Sequence, residues 1–458
     1  LNQFPRRHAL AAIALAAAAI ALPLSAQAQG RPDLVSQGLR DTSKQYVPDQ
    51  LIVQFRATAS ESGKAAALAQ VSGSIQLDLR LRDKRADGRG DLQLVKLPAG
   101  ISVAAAVAAL QRRAEVDFVE PNWVYRHQVV SNDTYFTSGQ LWGMYGATTT
   151  PANTFGTGAA TAWANGKTCS AAVFVAVIDE GAMFSHADLS GQFWVNPYDP
   201  VDGIDNDGNG YIDDVRGWDF VGDDNTTFDG RSDDHGTHVS GTIAGKGGNG
   251  AGVVGMCWSL KLISAKFLGN NGGTTADAVL AVDYVTDLKV LHSLNLVASN
   301  NSWGGGGFSQ ALQDAITRAG QAEILFVASA GNSSQNSDVS PSYPAAYNNA
   351  NIISVASIDA NGALSSFSNF GATTVDLGAP GGNIFSTLPG RAGRSTYGSY
   401  SGTSMAAPHV TGAAAMYKSI NPGATAAQVK AAILASATPT ASLSGKTVTG
   451  GRLNVSGF

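Results

Sequence analysis

Five largely apolar runs limit what this chain can become more than any other feature. They read "AVFVAVID" (172–179), "LKLISAKFL" (260–268), "LVASNNS" (296–302), "EILFVASAGN" (323–332) and "IISVAS" (352–357). None alternates polar and apolar residues strictly, so strands made from them must be buried on both faces. Between them lie segments with helical spacing: "HGTHVSGTIAG", "ADAVLAVDYVTDLKVL" and "FSQALQDAITRAG". Such strands alternating with helices predict an α/β fold, a doubly wound, mostly parallel sheet flanked by helices. Sheets of this kind bind ligands just beyond the carboxyl ends of their strands. Asp179, Ser302 and Asn332 all fall at such ends.

Other chemistry-bearing residues are sparse. Ser404 sits in "YSGTSMAAPHVTG", among small residues at the start of a helix. It could be a nucleophile, or simply a hydroxyl capping the free N–H groups of the first turn. Asp179 closes a buried strand, where a desolvated carboxylate needs a donor; an imidazole N–H would serve, and so would a turn. His235 opens a helix after several acidic residues. Gly236 and Thr237 beside it leave room for a substrate chain, while His238 points with Val239 into the helix body. The Asn332 amide could donate to a developing oxyanion or merely occupy a left-handed turn.

Taken together, "AVIDEG", "HGTHVSGTIAG", "SAGN" and "GTSMAAPHVTGAAA" closely resemble the motifs of the subtilisin-like serine peptidases, the subtilases. The resemblance runs from about Asn132 to the end. It implies that Ser404 attacks the scissile carbonyl, that His235 moves the proton, and that Asp179 orients His235. Asn332 and the Ser404 backbone N–H would hold the oxyanion, helped by the helix dipole. Glu180 departs from the small Ser or Thr usual after the aspartate. The resemblance further places Ser302, Trp303 and Gly304 along the primary specificity pocket, faced by Ala330, with Ala345 near its base. An apolar or aromatic side chain is expected there.

Between Asp199 and Asp234 lie 12 acidic residues against only Arg216 and Arg231. The run from Asp205 to Gly210 has the form D-x-D-x-N-G, alternating oxygen donors before a glycine turn, which suits Ca²⁺. Arg216 falls where an EF-hand would need its bidentate Glu, so a half-loop structural site is expected, from Asp205, Asp207, Asn209 and Asp213 or Asp214. An acidic loop of Asx-turns without metal is the alternative. Asp188 in "FSHADL" matches another calcium-ligand position of the family. No organic cofactor is expected: Gly245–Gly250 satisfies G-x-G-x-x-G, but it follows a helix rather than a strand.

The N-terminus, with Arg6 and Arg7, an apolar run from Ala9 to Leu24 and "AQA", has the plan of a cleaved export signal over 1–28. Residues 29–45 read as a linker. Residues 46–127 alternate strands and two helices as a small α+β, ferredoxin-like domain. There "YVPDQLIVQF" and "VDFVEPNWVYR" resemble the family's inhibitory I9-like propeptides, which implies a folding assistant and temporary inhibitor cut off near 127–132. Residues 128–458 would be the catalytic domain. Residues 1–130 carry 16 Lys+Arg against 11 Asp+Glu, and the remainder 14 against 24, so the acidic body argues against a general nucleic-acid surface. Whether Cys169 and Cys257 pair is left open by the sequence. The chain thus reads as a secreted, monomeric, self-processing serine endopeptidase of broad specificity, acting on proteins or peptides and free of the membrane after signal removal. Its rivals are a calcium-stabilised binding protein without turnover and an NAD-dependent oxidoreductase.

Overall fold

The computed structural model describes residues 31–41, 45–79, 90–124 and 130–458. The expected signal peptide, 1–28, lies outside the described residues, as does part of the expected 127–132 cleavage region. The chain divides into two compact units, residues 1–125 and 126–458.

The first unit begins with helix α1 (Pro32–Arg40), inside the segment read as a linker. Its lack of an apolar run hid it. Pro32 presets the first turn, Asp33 and Arg40 sit at the ends that suit their charge, and Val35 and Leu39 pack on the unit's core. Then follow β1 (Tyr46–Phe55), α2 (Glu61–Ala69), β2 (Ser74–Asp78), β3 (Leu92–Lys96), α3 (Val103–Leu110) and β4 (Val116–Trp123). The strands pair antiparallel in the order β2-β3-β1-β4. With the connection order β-α-β-β-α-β this is the ferredoxin-like arrangement. Leu51, Val53 and Phe55 alternate inward from β1, and Val103, Ala106, Val107 and Leu110 line one stripe of α3.

The second unit contains the short helices α4 (Thr134–Thr137) and α5 (Ala159–Ala164), then β5 (Phe174–Asp179), β6 (Gly217–Asp219), α6 (Asp234–Ala244), β7 (Lys261–Lys266), α7 (Thr275–His292), β8 (Leu296–Asn301), α8 (Gln310–Gln321), β9 (Leu325–Ser329) and β10 (Ile352–Ile358). It continues with β11 (Leu377–Pro380), β12 (Ile384–Pro389), β13 (Ser395–Tyr400), α9 (Thr403–Ile420), α10 (Ala426–Ala435), β14 (Thr438–Pro439) and β15 (Gly451–Arg452). Nine strands form one sheet in the order β14-β15-β11-β10-β9-β8-β5-β7-β6. Only the β14–β15 pairing is antiparallel.

Two apolar layers cover this sheet. One joins α6, α9 and α10 to side chains such as Val175, Val177, Val327 and Val355; the other joins α7 and α8 to Ala176, Ile178, Ile263 and Phe326. Alternate residues of one strand therefore serve opposite cores, which is why the runs read as continuously apolar. Strand β5 lies between β7 and β8: the chain leaves it toward β6 and β7 on one side and returns to β8 on the other. The carboxyl ends of β5 and β8 thus flank the switch point of the sheet, the ordinary place for a site. Cys169 and Cys257 are joined by a disulfide, which answers the question the sequence left open.

Candidate active site

Asp179 ends β5 with its carboxylate fully buried. Its Oδ1 accepts the His235 Nδ1 at 2.8 Å and the Glu180 backbone N–H at 2.8 Å. His235 stands in the first turn of α6, its side chain about 27 % exposed. With Nδ1 engaged by a carboxylate, the ring presents Nε2 as its basic nitrogen. Burial pulls the imidazolium pKa down, but the Asp179 charge and hydrogen bond, with Glu180 and Asp234, outweigh it and push the value up to about 9. Burial, followed by repulsion from Asp179, pushes the Glu180 carboxyl up to about 7.

Ser404 lies in the first turn of α9, half-buried. Pro408, four residues on, has no N–H to return to the Ser404 carbonyl. The Ser302 hydroxyl fills that vacancy, donating to Ser404 O at 2.8 Å, while Ser404 Oγ donates to Ser302 O at 2.9 Å. Asn300 and Thr411 extend the chain of bonds behind Ser302, so the end of β8 and the head of α9 are tied together. Among the described residues the Ser404 hydroxyl bonds to Ser302 and not to His235.

Asn332 follows β9. Its Oδ1 accepts from both the N–H and the hydroxyl of Thr403, each at 2.9 Å. With the oxygen end held, the amide nitrogen is the end left to donate outward. The loop on both sides of it is clamped by buried Asn369, which donates to Ala330 O and accepts from the Ser333 and Gln335 N–H groups. Thr403 and Asn369 escaped the sequence reading; the Thr-Ser pair of "GTSM" was the only signal for the former, and nothing local marked the latter.

A model of the subtilase family matches residues 170–454, and so includes all four of these positions. The chain belongs to the subtilase family. A model of the fervidolysin N-terminal prodomain matches residues 37–122. The thermophilic serine proteinase of Bacillus sp. (strain AK1) is 32% identical over 82% of this chain and 79% of its own length. Thermitase of Thermoactinomyces vulgaris is 37% identical over 57% of this chain and 78% of its own. The extracellular protease of Xanthomonas campestris is 34% identical over 72% and 57%, respectively. A solved protease of Pseudoalteromonas arctica, 29% identical, superimposes with a TM-score of 0.55 over 71% of this chain and 96% of that one.

This subtilase is a subtilisin-like serine protease carrying an N-terminal prodomain. Families of this type typically work without an organic cofactor. In the segment expected to line the substrate pocket, Trp303 packs on Phe267 and Phe326, and the Gly305 N–H donates to Tyr343 O at 3.2 Å. A Cβ at Gly304 would come within 3.0 Å of the same carbonyl. Ala330 and Ala345 are buried. Ala345 belongs to the apolar cluster with Phe326 and Tyr347, while Ser342 Oγ lies 3.0 Å from where a Cβ on Gly331 would stand. Asn369 Nδ2 lies closer still, at 2.4 Å, so Asn369 and Ser342 both face Gly331.

Gly236 and Thr237 are both buried, where the sequence suggested open room beside the ring. A Cβ on Gly236 would meet Gly181 O at 2.1 Å, so the missing side chain lets α6 pack against the Asp179–Gly181 turn. The Thr237 hydroxyl donates to Asp233 O and accepts the Met183 N–H. His238 is fully buried, accepted by Ile384 O at 2.9 Å, in the structural role expected of it.

The acidic loop turns around its own oxygens. Asp205 accepts the N–H groups of Gly208, Asn209 and Gly210; Asp213 accepts those of Asp202 and Gly203. Asp207 meets His292 Nε2 at 2.9 Å, and buried Asp214 takes Tyr284 OH, Asn196 and Asn209. Asp188 holds the Val253 N–H and the Asn249 amide. Among the described residues no three His, Cys, Asp or Glu side chains converge as a metal site.

Proposed function

We propose that this subtilase is an exported endopeptidase that cleaves peptide bonds through Asp179, His235 and Ser404 and removes its own prodomain. The observation that carries this is the 2.8 Å bond from His235 Nδ1 to a buried carboxylate at the sheet's switch point, where the head of α9 also delivers Ser404. Attack requires the Ser404 hydroxyl to turn from Ser302 O toward His235 Nε2. The hydroxyl proton then passes to Nε2 as the Oγ–C bond forms, and the carbonyl electrons move onto oxygen. The Asn332 amide and the Ser404 N–H receive that charge. Nε2 returns the proton to the leaving amine, and water repeats the cycle to release the acid and restore Ser404.

Export is supported by the charged, apolar and small-residue pattern of 1–28 and by an extracellular relative. No helix among the described residues is long and apolar enough to cross a membrane. An apolar or aromatic side chain ahead of the cleaved bond is supported by the glycines and aromatics at 303–307 and 343–347. Calcium is read as a structural partner of the 199–214 loop, held by Asp205, Asp207, Asn209 and Asp213 or Asp214, with Asp188 as a second point. The fit lies in donor chemistry, carboxylate and amide oxygens suiting a hard cation, and the ion takes no part in bond cleavage.

Wild type and Ser404→Ala expressed side by side test the central claim. Wild type should hydrolyse a Phe peptide faster than Arg or Glu peptides and lose its leader segment; the variant should do neither. Loss of the prodomain from Ser404→Ala without added protease would defeat self-processing.

A further inference from the structure

Helix α6 lacks the side-chain cap that an aspartate at its N-cap ordinarily supplies. Its N-cap residue, Asp233, makes no capping bond; its carboxylate accepts from Lys266 Nζ at 2.9 Å and from the Asp229 N–H. The first-turn N–H of His235 therefore needs an acceptor from elsewhere. It finds Glu180, whose Oε1 accepts it from the end of β5. Glu180 is itself anchored, because its carbonyl accepts from buried Lys266 Nζ at 2.9 Å. Two consecutive carboxylates of one strand end thus grip one histidine: Asp179 by its ring, Glu180 by its backbone.

We propose that Glu180 is a positioning residue for the general base, capping the helix turn that carries His235 and adding a second negative charge beside its ring. The inference rests on the triad proposed above. It assigns a task to the residue where the chain departs from the small Ser or Thr usual in the family. A small hydroxyl could not reach across to α6 and would carry no charge. The charge favours imidazolium, so the enzyme's working range moves toward alkaline pH, where the ring is neutral and can accept a proton.

The charged groups that act most on the ring are all carboxylates. Asp179 and Glu180 approach from β5, and Asp234 from α6 itself, its carboxylate bonded to Tyr400 OH of β13. His238, one turn along α6, is neutral and buried. Lys266 of β7 faces Glu180 O, Asp233 and Asp229, so its charge is largely met before it reaches the ring.

The test is the pH profile of kcat/KM for the full-length chain as expressed, with Glu180→Gln and Glu180→Ala. Glutamine keeps an acceptor oxygen and loses the charge. Its acidic limb should move down by about one pH unit, with the alkaline plateau of kcat reduced less than about threefold. Alanine loses both, so its limb should move alike while the kcat plateau falls about tenfold at unchanged KM. A limb that coincides with wild type in Glu180→Gln overturns the charge coupling; an alanine plateau equal to that of glutamine overturns the positioning. Glu180→Gln is nearly isosteric and keeps the question answerable should Glu180→Ala misfold. Titration of the His235 ring by NMR in Ser404→Ala, with and without Glu180→Gln, reads the same shift without turnover. Retention of wild-type hydrolysis by Ser404→Ala would instead remove the triad, a separate outcome from either failure at Glu180.

Discussion

A side-chain amide can stabilise an oxyanion only if its N–H end is aimed, and at Asn332 the aiming is done by the other end. Thr403 holds the oxygen with two donors, and Asn369 holds the loop beneath. Asn332→Ala is expected to lower kcat by about 10²–10³ with KM little changed, a scale set by subtilisin, a member of the same family. Thr403→Val should keep the fold and lower kcat about threefold, since it removes one of the two donors that hold the amide oxygen and leaves the backbone N–H. Equal KM losses in both variants, with kcat intact, would place Asn332 in ground-state binding only. The residues proposed to do the chemistry were legible because their motifs are dense and local. Their supports were not: the contact between Asn369 and Ala330 spans 39 positions, and Pro408 matters only because Ser302 arrives from 102 positions away.

At the scale of elements, two helices carry histidines that must stay neutral. Burial pulls His238 on α6 down to about 3 and His409 on α9 down to about 4, from an ordinary 6.5. A depressed folded-state value means that the unfolded chain takes up protons first. The stability contribution is present above about 6.5 and is lost as pH falls toward the folded values. The Tm of the inactive Ser404→Ala chain should therefore drop steadily between pH 6.5 and about 4, and His409→Gln should flatten part of that slope. A flat Tm over this interval would show that neither ring is held neutral. The strands of the large sheet were readable because burial on both faces leaves a continuous apolar run. The β12–β13 hairpin was not. In "STYGSY" most residues are half-buried and small or polar, so the run carries neither alternation nor continuity. Its partner is α6, against which β12 packs, and no local pattern announces that.

For the whole molecule, the covalent and ionic ties matter most. The Cys169–Cys257 bond closes a span of 88 residues, so Cys257→Ser is expected to cost about 2–5 kcal/mol, seen as a lower Tm by calorimetry. Calcium removal by a chelator should lower Tm as well, and Asp205→Asn together with Asp207→Asn should make the chain less sensitive to the chelator. Unchanged Tm in the wild type on chelation would remove calcium from the 199–214 loop. The sequence by itself determined the sheet class, the strand ends, the ferredoxin-like first unit and the candidates proposed as acid, base, nucleophile and amide, because periodicity and short motifs are local quantities. Only the tertiary structure decided that the cysteines pair, that Gly236 lets α6 pack on the Asp179–Gly181 turn, and that Glu180 caps α6. Each of these depends on which distant backbone lies within a few ångströms, and that is fixed by the joint packing of both faces of the sheet.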